Sequence, residues 1–188
     1  MDQPLSYQTL PSSCWVTSVI NGLLFLYRDK NKIPGFVLRL LHSVLTDEGV
    51  YSSGPSKADW EIVLNAIAQR CNMKIRSFSE EDAEQQLENV DFSKSVVVCD
   101  IGAGTHSVLI NKKIGDWYYG FDPDWDSVKA NRHMDNEYEL FPQVNERLRG
   151  KVNFKVHKTH LFNQRATRNR KFAMGAVSKR NITVISKA

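Results

Sequence analysis

Apolar positions recur at helical spacing in the first half of the chain and at strand spacing in the second. Val16, Val19, Ile20, Leu23, Leu24 and Tyr27 fall on one broad stripe, which predicts a buried helix. Pro11 and the Ser12-Ser13 pair mark its start at about Cys14, because proline stops a backward extension and serine hydroxyls take up free N–H groups. A polar turn at Asp29 to Lys32 and the Pro34-Gly35 pair introduce a second helix over about 36–45, with Val37, Leu40, Leu41, Val44 and Leu45 inward. Residues 49–55 read as loop, and a third helix follows at roughly 57–71 on Trp60, Val63, Leu64, Ile67 and Cys71. Ser79-Glu80-Glu81-Asp82 resembles a helix cap with acids in the first turn, so a further helix is expected over 80–89.

From there the period shortens. Ser95 to Ile101 is a β-branched run expected to form a buried strand containing Cys99. After the tight connection Gly102-Ala103-Gly104-Thr105, residues 106–110 and 117–121 read as two strands of a hairpin joined through Lys112 to Asp116. Residues 152–156 and 182–185 are expected as late strands, 163–171 as an exposed basic loop, and 126–150 give mixed signals. Helices first and antiparallel strands second is an α+β order, not the alternation of a parallel sheet.

Composition narrows the class. A chain of 188 residues, 41% hydrophobic, is the size of one ordinary globular domain, with residues 147–188 as an extension. No apolar run reaches the roughly 18 residues that would span a membrane, and no signal-peptide pattern opens the sequence. Cys14, Cys71 and Cys99 are an odd number without CxxC spacing. Neither a disulfide framework nor a cysteine-based zinc site is expected, and a cytoplasmic setting is. The net charge of +4 hides an asymmetry: residues 147–188 hold 12 of the 25 Lys/Arg and none of the 21 Asp/Glu. Such a segment suits an acidic partner. Its basic run, Arg165, Arg168, Arg170 and Lys171, lacks interleaved aromatics apart from Phe172, which ranks specific nucleic-acid binding lower.

Taken alone, Cys14 reads most simply as a buried structural thiol. Its place in the first turn of a helix also favours thiolate, because the helix N-terminus carries partial positive charge. Nucleophilic catalysis by a thiol needs a base, a group orienting that base, and a donor for the oxyanion. His106 begins a strand after a glycine-rich turn, which puts it at the sheet edge. Asp122, sixteen residues later, is expected to end the partner strand, where a hairpin brings it within reach of the histidine. Asp124 is the neighbouring candidate for the same role. Gln8 carries a side-chain amide that, beside the Cys14 backbone N–H, would stabilise an oxyanion.

Gln8 six residues before Cys14, the Cys14-Trp15 pair at a helix start, and His106 sixteen residues before Asp122 together resemble the papain-like cysteine peptidases. The nearer resemblance is to the bacteriocin-leader-processing, double-glycine peptidase branch and its free-standing relatives, on the apolar strand led by His106 and the Asp122-Pro123 pair. It covers roughly residues 5–125. It implies a papain-like fold with N-terminal helices packed on an antiparallel sheet. It also implies a Cys14 nucleophile, His106 as general base and acid, Asp122 as its orienter and Gln8 as oxyanion donor, with no cofactor. The implied activity is hydrolysis of a protein or peptide through an acyl-thioester, after a small-residue or Gly-Gly type site. Papain itself carries asparagine where Asp122 stands, a departure the leader-processing branch shares. No transporter membrane domain is expected within these 188 residues, and the basic segment has no place in the family pattern.

Two rivals stand beside this reading. The same triad can hand its acyl group to an amine or thiol, making an acyltransferase or transpeptidase. The other is a non-catalytic binding module whose basic C-terminal surface engages an acidic partner. Elsewhere the chemistry is thin. His157 and His160 have helical ligand spacing but no nearby carboxylate, so both are expected as solvated side chains, and no metal site is assigned. Gly102-Ala103-Gly104 precedes a strand instead of a helix and makes a poor phosphate cradle.

Overall fold

The computed structural model describes residues 14–27, 35, 62, 66, 68–70, 72–124, 138–140, 152–166 and 172–188. The expected helix at 36–45, the loop at 49–55, Gln8, Cys71, Trp125 and most of 126–150 lie outside them. Of the expected helix at 57–71, the described residues 62, 66 and 68–70 are helical.

Helix α1 runs Cys14–Tyr27, starting on the cysteine. Val16, Val19, Leu23 and Leu26 are buried at helical spacing and pack on Val96, Val98, Leu109, Phe121 and Ile185 of the sheet. Gly22 lets the helix lie close: a Cβ there would meet Val96 Cγ2 at 3.1 Å and Leu109 Cδ1 at 3.3 Å. The buried Ser18 hydroxyl donates to the Ser107 carbonyl at 3.2 Å, so polar as well as apolar contacts seat the helix.

The sheet comprises β1 (Met73–Ser79), β2 (Ser95–Ile101), β3 (His106–Ile114), β4 (Trp117–Phe121), β5 (Tyr138–Leu140), β6 (Phe154–His157) and β7 (Asn181–Lys187). Their order is β1-β7-β2-β3-β4-β6-β5, and every neighbouring pair is antiparallel. This is an α+β architecture, an antiparallel sheet with α1 packed on one face. β2 is buried on both faces, which is why it reads as a continuous apolar run. Val96 and Val98 face α1, whereas Val97 and Cys99 join a second core with Ala83 and Leu87 of α2 (Glu80–Glu88). No element was expected at 73–79; β1 is a sheet edge whose Lys74, Arg76 and Ser77 are exposed, so it carries little apolar signal.

Residues 152–188 are continuous with this core. β7 lies between β1 and β2, and β6 between β4 and β5. Gly120 is required where β4 meets β6: a Cβ there would stand 2.2 Å from the Leu109 carbonyl oxygen and 2.5 Å from Phe154 Cζ. Arg180, only 3% exposed, donates from Nε to the Gly175 carbonyl at 3.1 Å, from Nη2 to the Phe162 carbonyl at 2.6 Å, and from Nη1 to Glu84. Lys155 pairs with Glu139 at 2.6 Å and Lys158 with Asp116 at 2.9 Å. Three cations of the basic segment are thus matched by acids of the same chain. His160 corrects the sequence reading: it lies on α3 (Lys158–Leu161), fully buried, with its ring centroid 5.2 Å from that of Tyr138. Tyr138 belongs to β5, outside the basic segment, so the sequence surroundings of His160 misrepresent its environment.

Candidate active site

Two elements bring the expected residues together. α1 presents Cys14 at its first residue, half-buried, where the helix N-terminus favours negative charge on sulfur. β3 presents His106 as its first residue, after a turn in which Gly102, Ala103 and Gly104 all have left-handed φ (61°, 58° and 85°). The turn is closed by the Thr105 hydroxyl on the Gly102 carbonyl at 2.8 Å, and tied to the C-terminal segment by Gly102 N–H on the Ala173 carbonyl at 2.8 Å.

His106 Nε2 lies 2.7 Å from Asp122 Oδ1, with the histidine side chain 18% exposed and the carboxylate fully buried. That engagement leaves Nδ1 to face the cysteine, and Cys14 and His106 each shift the other's pKa. The Asp124 backbone N–H donates to Asp122 Oδ1 at 2.9 Å. Gln8 lies outside the described residues.

The electrostatics follow from this chain of contacts. Burial pushes the Cys14 thiol up, but the hydrogen bond and charge of His106, with hydrogen bonds to the Ser107 backbone and hydroxyl, bring it below an ordinary thiol. Burial likewise works against the imidazolium, yet the hydrogen bonds and charges of Asp122 and Cys14 outweigh it and push His106 up to about 10. Both shifts favour a thiolate–imidazolium pair at neutral pH, titrating as one coupled unit. Cys99 contrasts with it: fully buried, its thiol is driven well above the ordinary range.

A residue with no sequence signal holds the carboxylate in place. Asn153, buried just ahead of β6, accepts from the Asp122 N–H at 2.7 Å and donates to the Asp122 carbonyl at 2.8 Å. Its own N–H donates to the Gly120 carbonyl at 2.8 Å. The end of β4 is therefore gripped from the C-terminal segment, and nothing about an asparagine in a basic stretch 31 residues on announces that. Among the described residues no group of three or more His, Cys, Asp or Glu side chains could hold a metal ion.

The class that the architecture defines is the papain-like cysteine peptidase fold, in the form taken by double-glycine peptidase domains. The sequence matches no family model and no curated protein. Among solved structures, the chain is similar to a double glycine motif protease from an AMS/PCAT transporter in complex with the leader peptide. There the identity is 16% and the TM-score 0.50, over 98% of this chain and 91% of that one. It is also similar to the peptidase domain of Streptococcus ComA, a bi-functional ABC transporter involved in a quorum sensing pathway, at 12% identity and TM-score 0.49, over 98% of both chains. At such identities the likeness is one of fold. No described helix is long and apolar enough to cross a membrane.

Proposed function

We propose that this chain is a cysteine peptidase that hydrolyses a peptide bond through an acyl-thioester on Cys14. The observation that carries the reading is the 2.7 Å contact between His106 Nε2 and Asp122 Oδ1, with Cys14 and His106 each shifting the other's pKa. In this mechanism the thiolate attacks the substrate carbonyl, and the imidazolium gives its proton to the leaving amine as the C–N bond breaks. Water, deprotonated by the now neutral His106, then attacks the thioester, releasing the acid and restoring the thiol proton to the pair. Asp122 fixes the ring and stabilises its charge throughout. Gln8 and the Cys14 backbone N–H are the proposed donors to the oxyanion.

The substrate is proposed to be a peptide or protein segment with a Gly-Gly type pair before the cut, in line with the leader-peptide complex of the similar double-glycine protease. Residues 1–188 are taken as one peptidase domain, and the basic residues left exposed on its C-terminal segment as the surface for an acidic partner. Peptides with Gly-Gly, Gly-Ala and bulky pairs at the cut site, followed by mass spectrometry, test the reading. Cleavage after Gly-Gly that disappears in both Cys14→Ala and His106→Ala is the expected result. Cleavage that survives either substitution refutes it.

A further inference from the structure

On the face of the sheet that α2 covers, a cleft of about 290 Å³ opens at the end of the helix. That is the small end of the range for ligand clefts, roughly 300–1,000 Å³. Strands β1, β7 and β2 form its floor, and the last turn of α2 with the residues after it forms a wall. Val96 and Val98 of β2 face α1, so Val97, Cys99 and Ser95 alternate to the α2 side. Ser95, which lines the cleft, begins β2, whereas Ile101 at its other end pairs with His106. The cleft is therefore remote from Cys14 and on the opposite face from α1.

The acceptors around the cleft are already engaged. Asp91 Oδ1 takes the Ser93 N–H at 3.0 Å and its hydroxyl at 2.6 Å, and Oδ2 lies 3.3 Å from Lys94 Nζ. The carbonyls at the end of α2, whose partial negative charge would repel an anion, are capped as well. Gln85 takes Asn89 Nδ2 at 2.9 Å, Gln86 takes the Asn89 N–H at 3.1 Å, and Glu88 takes Lys113 Nζ at 3.3 Å. The donors are not engaged. Among the described residues, the side chains of Lys74, Arg76, Gln86 and Ser95, all lining the cleft, have no ion pair or hydrogen bond. Ser95 is only 5% exposed, and a hydroxyl so enclosed ordinarily has a partner. Lys74 and Arg76 stand two apart on β1, so they share one face with Cα atoms about 7 Å apart. Charged side chains also keep an edge strand from pairing with another chain. That role calls neither for an unpartnered buried hydroxyl nor for Phe78 and Val184 beside the charges in one cleft.

We propose that this cleft binds a phosphomonoester carried on a small apolar body, with the phosphate held by Lys74 and Arg76 and the body laid on Phe78, Val90 and Val184. Two unmatched positive charges suit a group that carries about −1.5 to −2 at neutral pH. The Arg76 guanidinium offers paired N–H donors to two phosphate oxygens, and the Ser95 hydroxyl and Gln86 amide are donors for the rest. A monocarboxylate would leave one cation unmatched. The ligand is bound, not transformed. Nothing here depends on Cys14, so the failure of this inference and the failure of the peptidase reading are separate results.

The test is titration of the unaltered chain with phenyl phosphate, followed by amide NMR shifts. Benzoate, benzyl alcohol and inorganic phosphate are the comparison probes, and a short phosphotyrosine peptide separates a free ester from one on a protein side chain. Saturable shifts confined to residues 74–78, 86–91, 95 and 184–186 are expected, with phenyl phosphate binding several-fold more tightly than each comparison probe. Arg76→Gln should weaken binding about tenfold, the lower end for a charged hydrogen bond because the side chain is exposed. Gln86→Glu, which sets a like charge in the wall, should weaken it comparably, and Lys179→Gln, an exposed cation elsewhere, should not. Tighter binding of the peptide than of phenyl phosphate assigns the ester to a protein side chain, and weaker binding assigns it to a free metabolite; both uphold the site. Benzoate binding as tightly as phenyl phosphate, shifts spread over the basic C-terminal surface, or an affinity unmoved by Arg76→Gln overturns the inference.

Discussion

Asn153→Ala is the substitution that reports most on how the site is built. It deletes two buried hydrogen bonds, 2.7 Å from the Asp122 N–H and 2.8 Å to the Asp122 carbonyl, and leaves both backbone groups without that partner. Each buried polar group left unsatisfied costs about 1–3 kcal/mol, so the pair amounts to about 2–5 kcal/mol once some relaxation is allowed. For a chain of this size that is a fall in Tm of roughly 5–15 °C. The catalytic loss has a separate origin. Asp122 is placed by its backbone, and a displacement of about 1 Å at an orienting group can reduce turnover roughly 100-fold. Thermal unfolding by circular dichroism, paired with kcat on a Gly-Gly peptide at a temperature where the variant remains folded, measures both. Asn181→Ala, an exposed position on β7, serves as the control. A Tm within about 2 °C of the unaltered chain, with kcat unchanged, would refute the claim that the C-terminal segment holds the carboxylate.

Other expectations follow from the same contacts. Asp122→Asn removes the charge that supports the imidazolium, so the His106 pKa should fall by about one to two units and turnover by two orders of magnitude or more, as read by NMR titration and peptide cleavage; Asp124→Asn should change neither strongly. The pH profile of kcat/KM should rise on the acid side with ionisation of the lowered Cys14 thiol and fall on the alkaline side as His106 loses its proton near 10, because only the thiolate–imidazolium pair is competent. Linkage has the same sign: a raised histidine pKa contributes stability that is complete below about 6.5 and lost as pH rises through about 10, which chemical denaturation across pH 6–11 will show. Arg180→Met strips donors from two carbonyls and from Glu84, and should cost about 2–3 kcal/mol in urea unfolding, discounted because Glu84 is 42% exposed.

The parts of the fold that were legible are those whose burial is dictated by local pattern. α1 shows itself through a wide apolar stripe, and β2 through a run buried on both faces. The sequence pattern spreads the β3–β4 connection over Lys112 to Asp116, whereas the strands run on to Ile114 and from Trp117, leaving Gly115 and Asp116 between them. Lys112 and Lys113 can extend a strand because their charged ends reach solvent or a ring, as Lys113 does 5.2 Å from the Tyr118 centroid. The approach of His106 to Asp122 follows from that hairpin, since the end of one strand lies beside the start of the other. Asn153 was not legible. It is a polar residue whose partner is set by pairing across the sheet, and a single sequence does not state which strands are neighbours. The same limit hid β1 as an edge strand and made His160 look solvated.

Acid-quenched intact-mass spectrometry during turnover of a Gly-Gly peptide tests most directly whether Cys14 carries the chemistry. A covalent adduct equal to the N-terminal product acyl group, mapped to Cys14, released by hydroxylamine and absent from Cys14→Ala, is the expected result. Cleavage proceeding with no adduct at Cys14, or proceeding equally in Cys14→Ala, would contradict it.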